Sequence, residues 1–114
     1  MKHSTRFAAT ASFIFSIHAS AAEPIKIGVD GAFTGGSAPA GVSMRNGVEM
    51  ATDEINTAGG VLGRQLLLVE RDDEAKNELG VQIAQELIYK EHVVATVGFI
   101  NTGMALASQR PRRS

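Results

Sequence analysis

Small polar residues follow the third apolar segment of the sequence, where Asn101, Thr102 and Gly103 run directly into a helix-forming stretch. The first N–H groups of a helix lack intrahelical partners and favour an anion, and the Thr102 hydroxyl adds a donor at the same place. The pattern therefore favours the binding of a ligand carboxylate. The alternative, that Thr102 or Asn101 simply caps its own helix, stays open.

The glycine-rich stretch 31–41 matches neither of the common nucleotide-binding loops. Phe33 occupies the position of the second glycine in the dinucleotide-binding GxGxxG pattern. Gly31 and Gly36 have the spacing of a phosphate-binding loop, but Ser37 follows where that loop requires lysine. The sequence therefore disfavours a nucleotide enzyme, and we expect no cofactor.

Residue types for catalysis and metal binding are sparse. The chain has no cysteine, and His92 is the only histidine after residue 21, so the sequence offers neither a thiolate nor a histidine pair. The acidic run of Glu70, Asp72, Asp73 and Glu74 can bind a cation, but helix capping and a solvated face are the preferred interpretation. We expect no metal site and no catalytic residues.

Alternating segments predict the elements that position these residues. Apolar or β-branched runs indicate strands, and apolar stripes at helical spacing indicate helices. The order of these segments predicts an α/β fold with a parallel, doubly wound βαβαβ sheet. The small, polar loops after the first and third strands suggest the strand order 2-1-3, with a ligand crevice between those loops. The predicted elements are strands 25–30, 66–70 and 93–97, helices 43–57 and 75–90, and a helix that starts at Met104.

Each helix has a predicted cap and a predicted buried stripe. Ser43 is the expected N-cap of the first helix, and Gly59-Gly60 the expected end. Asp72-Asp73 is expected to cap the second helix. The continuous apolar run 66–70 predicts a strand covered on both faces. The stripes are Met44, Val48, Ala51 and Ile55 in the first helix, and Leu79, Ile83 and Leu87, with Ala84 and Ile88 beside them, in the second.

The first 21 residues have the pattern of an export signal. Lys2 and Arg6 precede the uncharged apolar run 7–17, and Ala19-Ser20-Ala21 supplies the small residues of a cleavage site. The run is shorter than the roughly 20 residues that span a bilayer, and a buried N-terminal helix is the alternative. We predict a signal peptide at 1–21 and a periplasmic product, which without cysteine has no lipid anchor.

Charge is distributed unevenly along the chain. The formal net charge is −1, yet residues 22–109 hold six basic and twelve acidic residues, whereas the last five residues include three arginines. An acidic body offers no basic face, so we expect no nucleic-acid partner. The 110–114 tail is either a solvated end or a segment foreign to the fold, in which Pro111 would break the helix just begun.

Three segments of the chain resemble the start of periplasmic binding proteins of the branched-chain amino-acid type, the type I solute-binding components of ABC importers. They are IKIGVDGAFTGG, NGVEMATDEINTAGGVLGRQLLLVERDDEA and VGFINTGMALAS, and the resemblance covers 24–108. It implies two α/β lobes joined by a hinge, with the ligand between them. Residues 22–109 would then form the first part of the N-terminal, ligand-binding lobe.

The resemblance also implies roles for individual residues. Thr102 matches the hydroxyl residue that holds the ligand carboxylate, and Asn101 and Gly103 flank it. Ala40 stands where amino-acid-binding members carry an aromatic residue that packs over the ligand. The disulfide that some members have near Ala75 and Asn101 is absent here.

The function implied by this resemblance is the substrate-binding component of an ABC transporter for branched-chain amino acids or related small amino acids and amides. Its partners would be that small-molecule ligand and an inner-membrane permease. Family members run on well beyond this length, so we interpret the chain as truncated, with a frameshift as one cause. The alternatives are a non-functional remnant, an exported α/β enzyme, and a sensor domain of the same fold.

Overall fold

Strands and helices alternate along the part of the chain that the structure, a computed structural model, describes: residues 22–100 and 102–108. A π-helical segment, Glu86–Lys90, continues the second helix. The predicted βαβαβ alternation is confirmed. No helix in the described ranges is long and apolar enough to cross a membrane. In chain order the elements are β1 (Ile25–Gly31), α1 (Ala38–Thr57), β2 (Leu66–Asp72), α2 (Asn77–Gln85), β3 (Ala95–Gly98) and α3 (Thr102–Ser108).

The central strand of the sheet is β1, and the strand order is β2-β1-β3. All pairings are parallel: Gly31 pairs with Asp72 at the end of β2, and Asp30 pairs with Gly98 at the end of β3. The predicted order 2-1-3 is therefore confirmed. Parallel pairing brings the carboxyl ends of the three strands to one edge of the sheet, which is where open α/β sheets bind ligands.

Helices cover both faces of β1. A Cβ on Gly28 would lie 2.9 Å from Leu87 Cδ1 of the π-helical segment, and a Cβ on Gly31 would lie 3.0 Å from Met44 Cε of α1. Residues three apart in a strand point to opposite faces, so the two helical layers lie on opposite sides of the sheet. The third helix, α3, packs against α2. The buried apolar residues are Val29, Ala32, Ile83, Ala84 and Leu87.

The first helix begins five residues earlier than predicted. Ser37 is its N-cap and makes no side-chain capping bond, so the expectation that Ser43 is the N-cap is wrong. Pro39 is tolerated here because the first turn needs no N–H partner and because proline presets a helical φ. Ala40, which was expected in the preceding loop, therefore lies in the first turn of α1.

The buried face of α1 is shifted from the predicted stripe. Thr52 and Gly41 are its buried residues, whereas Ala51 and Ile55 are exposed. Thr52 can be buried because its hydroxyl donates to the Val48 carbonyl oxygen at 2.8 Å, which satisfies the polar group within the helix. A stripe assigned from apolar residues alone misses such a position.

The second helix also departs from its predicted bounds. Glu74 and Ala75 have φ values of 51° and 59°, which a right-handed helix does not contain, so α2 starts only after them. Lys76 is the N-cap, and the predicted capping by Asp72-Asp73 is wrong. Most of the predicted stripe is confirmed: Ile83, Ala84 and Leu87 are buried, Leu79 is half-buried, and only Ile88 is largely exposed.

Strand ends differ slightly from prediction. Leu67 of β2 is 46% exposed, so the expected cover on both faces is wrong for this residue. The third strand begins at Ala95 rather than at Val93. The predicted end of α1 is confirmed, since Gly59 and Gly60 follow it with φ values of 110° and 79°.

Candidate functional site

Two loops leave the carboxyl edge of the sheet side by side, after β1 and after β3. Asp30 and Gly98 pair at the ends of these strands, and a Cβ on Gly98 would overlap the Asp30 carbonyl oxygen. The same oxygen accepts the Phe99 N–H at 3.2 Å. The region where we predicted a ligand crevice is therefore built on two closely joined strand ends.

Asp72 ties the loop after β1, residues 32–37, to the end of β2. Its Oδ1 accepts the Phe33 N–H at 2.9 Å, and its Oδ2 accepts the Thr34 hydroxyl at 2.6 Å. Oδ1 also accepts the Glu74 N–H at 2.9 Å. Burial by itself would raise the pKa of Asp72, but these donors outweigh it and hold the pKa below its ordinary value of 3.8. The Asp72 carboxylate is an ionised structural group.

Phe33 connects the same loop to α1. The guanidinium carbon of Arg45 lies 4.8 Å from the centroid of the Phe33 ring, within the range of a cation–π contact. The ring is half-buried and lies close to the end of β1, since a Cβ on Gly31 would be 3.1 Å from Phe33 Cε1. The loop is thus held from two sides, by Asp72 and by Arg45.

The sequence-predicted site residues occupy the helix starts at this edge. Thr102 is the first residue of α3 and is exposed. Gly103 is also exposed, and a Cβ on it would lie 3.7 Å from the side-chain nitrogen of Asn77 at the start of α2. Ala40 is exposed in the first turn of α1. Thr102 and Ala40 thus lie on helices that follow neighbouring strands, and Asn101 lies outside the described residues.

Two buried carboxyl groups lie at the same edge and were missed by sequence reasoning. Asp30 is fully buried and Asp73 is 2% exposed, so the expectation of a solvated acidic face is wrong for Asp73. Burial raises the pKa of Asp30 from 3.8 to about 7, and the negative charges of Asp73 and Asp72 add to this effect. The Gly31 N–H acts in the opposite direction and lowers the pKa. A signal existed: in a central strand covered on both faces, a charged residue cannot face solvent.

Residues at the opposite edge of the sheet form no cluster with these groups. His92 is exposed and lies between the π-helical segment and β3, away from the ligand edge. Beside it, Lys26 and Glu91 form an ion pair at 3.9 Å. Within the described ranges, no group of three or more His, Cys, Asp and Glu residues is arranged to hold a metal ion.

Comparison with known proteins identifies the family of this fold. The family model described as periplasmic binding protein matches residues 24–110. The chain belongs to the periplasmic binding protein family. Among curated relatives of this periplasmic binding protein chain, Leu/Ile/Val-binding protein homolog 3 from Brucella melitensis is 34% identical over 103 residues, which cover 90% of this chain and 27% of that protein.

Solved structures of similar proteins share both the fold and part of the sequence. One is the branched-chain amino acid transporter substrate binding protein LivJ from Streptococcus pneumoniae, solved in complex with isoleucine. It is 32% identical to this chain with a TM-score of 0.72, and the match covers 75% of this chain and 24% of LivJ. A solute binding protein of an ABC transporter from Rhodopseudomonas palustris, in complex with 3,4-dihydroxybenzoic acid, is 29% identical with a TM-score of 0.68 and covers 75% and 23%. This periplasmic binding protein chain therefore spans about a quarter of the length of the relatives it matches.

Proposed function

We propose that this chain contributes one wall of the ligand site in the substrate-binding component of an ABC transporter, for branched-chain amino acids or related small amino acids and amides. The observation that carries the proposal is the placement of Thr102, which is exposed at the first position of α3, the helix that follows β3. The first N–H groups of α3 and the Thr102 hydroxyl together provide several donors for one carboxylate. The role is binding rather than catalysis.

The ligands named for two similar structures share this chemistry. One similar protein is bound to isoleucine and the other to 3,4-dihydroxybenzoic acid, and both ligands carry a carboxylate. The shared feature supports a carboxylate subsite at Thr102, Gly103 and Asn101, with the ligand side chain extending towards Ala40. Identity above 30% with the isoleucine-bound protein and the Leu/Ile/Val-binding relative favours an amino acid as the ligand.

The same proposal assigns the remaining parts of the chain. Residues 1–21 act as the export signal and direct the product to the periplasm without a lipid anchor. Residues 22–109 form the first part of the ligand-binding lobe, and the basic tail 110–114 contributes nothing to the site. The partner of the loaded binding protein is an inner-membrane ABC permease.

A chimeric protein tests the proposal most simply. Residues 24–108 replace the corresponding segment of the isoleucine-bound Streptococcus pneumoniae protein, and calorimetry measures the binding of isoleucine and of isoleucinamide, which lacks the carboxylate. The unmodified recipient is the matched control. We expect the folded chimera to bind isoleucine at least tenfold more tightly than isoleucinamide, because charge-assisted hydrogen bonds to the carboxylate are lost in the amide. A folded chimera that binds neither compound would contradict the proposal.

A further inference from the structure

The side chain of Asp30 makes no well-formed hydrogen bond to a donor of the described residues, although the Gly31 N–H lowers its pKa and so opposes the effect of burial. It belongs to β1, the central strand, and is fully buried, and neither of its carboxylate oxygens has a hydrogen-bond partner. An ionised carboxylate in such a place loses its hydration without compensation, which is strongly unfavourable. The site therefore favours a hydrogen-bonding partner for Asp30 beyond the Gly31 N–H.

The nearest acidic neighbour, Asp73, is almost as deeply buried and is fixed in place by hydrogen bonds of its own. Its N–H donates to the Gly31 carbonyl oxygen at 2.9 Å, and its Oδ1 accepts the Ala75 N–H at 2.7 Å. The charge of Asp73 is felt by Asp30. Two ionised carboxylates offer only acceptors to each other, whereas one proton turns either of them into a donor for the other.

Among the described residues, the charged groups on the surrounding elements provide no counter-ion for this pair. On β2, Arg71 pairs in register with Asp30, but its Nη2 lies 2.9 Å from Glu86 Oε1 and 3.2 Å from Glu91 Oε1. Asp72 adds negative charge, with its oxygens already accepting from Phe33, Thr34 and Glu74. The remaining described neighbours on β3 and α2 are uncharged: Gly98, Gly80, Ile83 and Ala84. Lys76, before α2, is exposed, and its ammonium group lies 3.5 Å from the Glu74 carboxylate.

A metal ion does not fit this position. Within residues 22–100 and 102–108, no three potential ligands of the His, Cys, Asp and Glu types converge. A proton needs only one carboxyl group that holds it and a second that accepts its hydrogen bond, and Asp30 and Asp73 can fill these two roles.

We propose that Asp30 keeps a proton in the folded chain and donates it in a hydrogen bond to Asp73, and that this buried carboxyl pair is a pH-sensitive contact between the ends of β1 and β2, next to the candidate ligand loop after β1. The proton sits on a carboxyl oxygen of Asp30 and is donated to a carboxylate oxygen of Asp73. Its loss leaves two buried negative charges beside the contacts that join the strands. Those contacts are the Asp73 N–H to Gly31 and the Phe99 N–H to Asp30.

The direction of the pH effect follows from the ionisation of Asp30. Its pKa of about 7 in the folded chain lies above the ordinary 3.8, so the folded state binds more protons than the unfolded state between these values. The contribution of Asp30 to the free energy of unfolding is therefore fully present below pH 4, and it falls as the pH rises towards 7. Each pH unit within that window changes the unfolding constant by up to about tenfold.

The test follows the titration and the stability of the full purified chain. Carbon-13 NMR of the aspartate carboxyl carbons between pH 3 and 9 is expected to show one group with a midpoint near 7. Urea unfolding is expected to give an unfolding constant at least tenfold larger at pH 8 than at pH 5. Asp30→Asn should remove both effects, because the amide is neutral at every pH and supplies its own N–H donors.

Two matched variants separate this pair from other acidic groups. Asp53→Asn changes an exposed aspartate of α1 and should leave the pH profile as in the parent. Glu70→Gln removes a glutamate whose pKa is raised by burial and by Glu49 on the other face of the sheet, and should leave the aspartate signal near 7 in place. The proposal is overturned if every aspartate titrates near 4, or if Asp30→Asn and Asp53→Asn have the same pH profile. If Asp30→Asn does not fold, the titration of the parent chain decides alone.

Discussion

The α-carbon of Gly41 packs directly against the carbonyl group of Ala32, so closely that a Cβ on Gly41 would overlap the oxygen. Both residues are buried. This contact presses the first turn of α1 onto the loop that follows β1. The position of Ala40 at the candidate ligand edge therefore depends on the absence of a side chain at the next residue.

Replacement of Gly41 by alanine is expected to destabilise the chain by about 1 to 3 kcal/mol, because the new methyl group forces α1 away from the loop. Gly47→Ala on the same helix is the matched control, since a Cβ there meets nothing within 4 Å. That variant should gain about 0.5 to 1 kcal/mol from the better helix propensity of alanine. Urea unfolding followed by circular dichroism measures both, and a shift of the two variants in the same direction would argue against the contact.

Thr34→Val removes the hydroxyl that donates to Asp72 at 2.6 Å. The pKa of Asp72 lies below 3.8 in the folded chain, so its stabilising effect is present above pH 4 and is lost as the pH falls further. The variant should lose about 1 kcal/mol at pH 7 and show a smaller loss of stability on acidification. Thr57→Val, at an exposed position of α1, is the control. Equal acid sensitivity of parent and Thr34→Val would refute this role of the hydroxyl.

Arg71 joins β2 to the π-helical segment through Glu86. Its Nε and Nη2 lie 3.1 and 2.9 Å from the same oxygen, Glu86 Oε1, and both side chains are about one-third exposed. A double-mutant cycle with Arg71→Met and Glu86→Gln should give a coupling energy of about 0.5 to 1 kcal/mol, reduced in about 1 M salt. The more exposed pair of Lys76 and Glu74 should couple by less than about 0.3 kcal/mol in the same assay. Equal couplings would contradict the prediction that the less exposed Arg71 pair contributes more to stability than the Lys76 pair.

The isolated 114-residue chain is expected to bind isoleucine only weakly, with a Kd above about 1 mM. Thr102, Gly103 and Ala40 are all exposed in the structure, whereas tight small-molecule sites bury most of the ligand surface. Calorimetry with the purified chain measures this directly. Micromolar binding would show that the described wall is sufficient by itself, contrary to our expectation.

Sequence reasoning captured the architecture because its signals were local and repeated. The apolar run 66–70 and the alternation of Ile25, Ile27 and Val29 with polar residues indicate strands. The alternating order of strands and helices along the chain predicts a parallel sheet. The strand order 2-1-3 followed from the small polar loops after β1 and β3, and the structure confirms it.

Details that depend on tertiary contacts were beyond the sequence. The start of α1 was hidden because Ser37, Pro39 and Gly41 have a loop-like composition, although Gly41 is required by its contact with Ala32. The burial of Asp73 was hidden because short-range patterns describe an aspartate in an acidic run as solvated, whereas the burial of Asp30 could have been inferred from its place in the central strand. Neither the start of α1 nor the burial of Asp73 follows from periodicity or propensity.

The role of Thr102 is the central claim, and the affinity of the isoleucine chimera with and without its hydroxyl tests that claim most directly. Calorimetry would compare the parent chimera with Thr102→Val and Thr102→Ser. A hydrogen bond to a charged carboxylate contributes about 1.5 to 3 kcal/mol, so Thr102→Val should weaken isoleucine binding by about 10- to 150-fold, and Thr102→Ser should stay within about threefold of the parent. Unchanged isoleucine affinity in a folded Thr102→Val chimera would contradict the account.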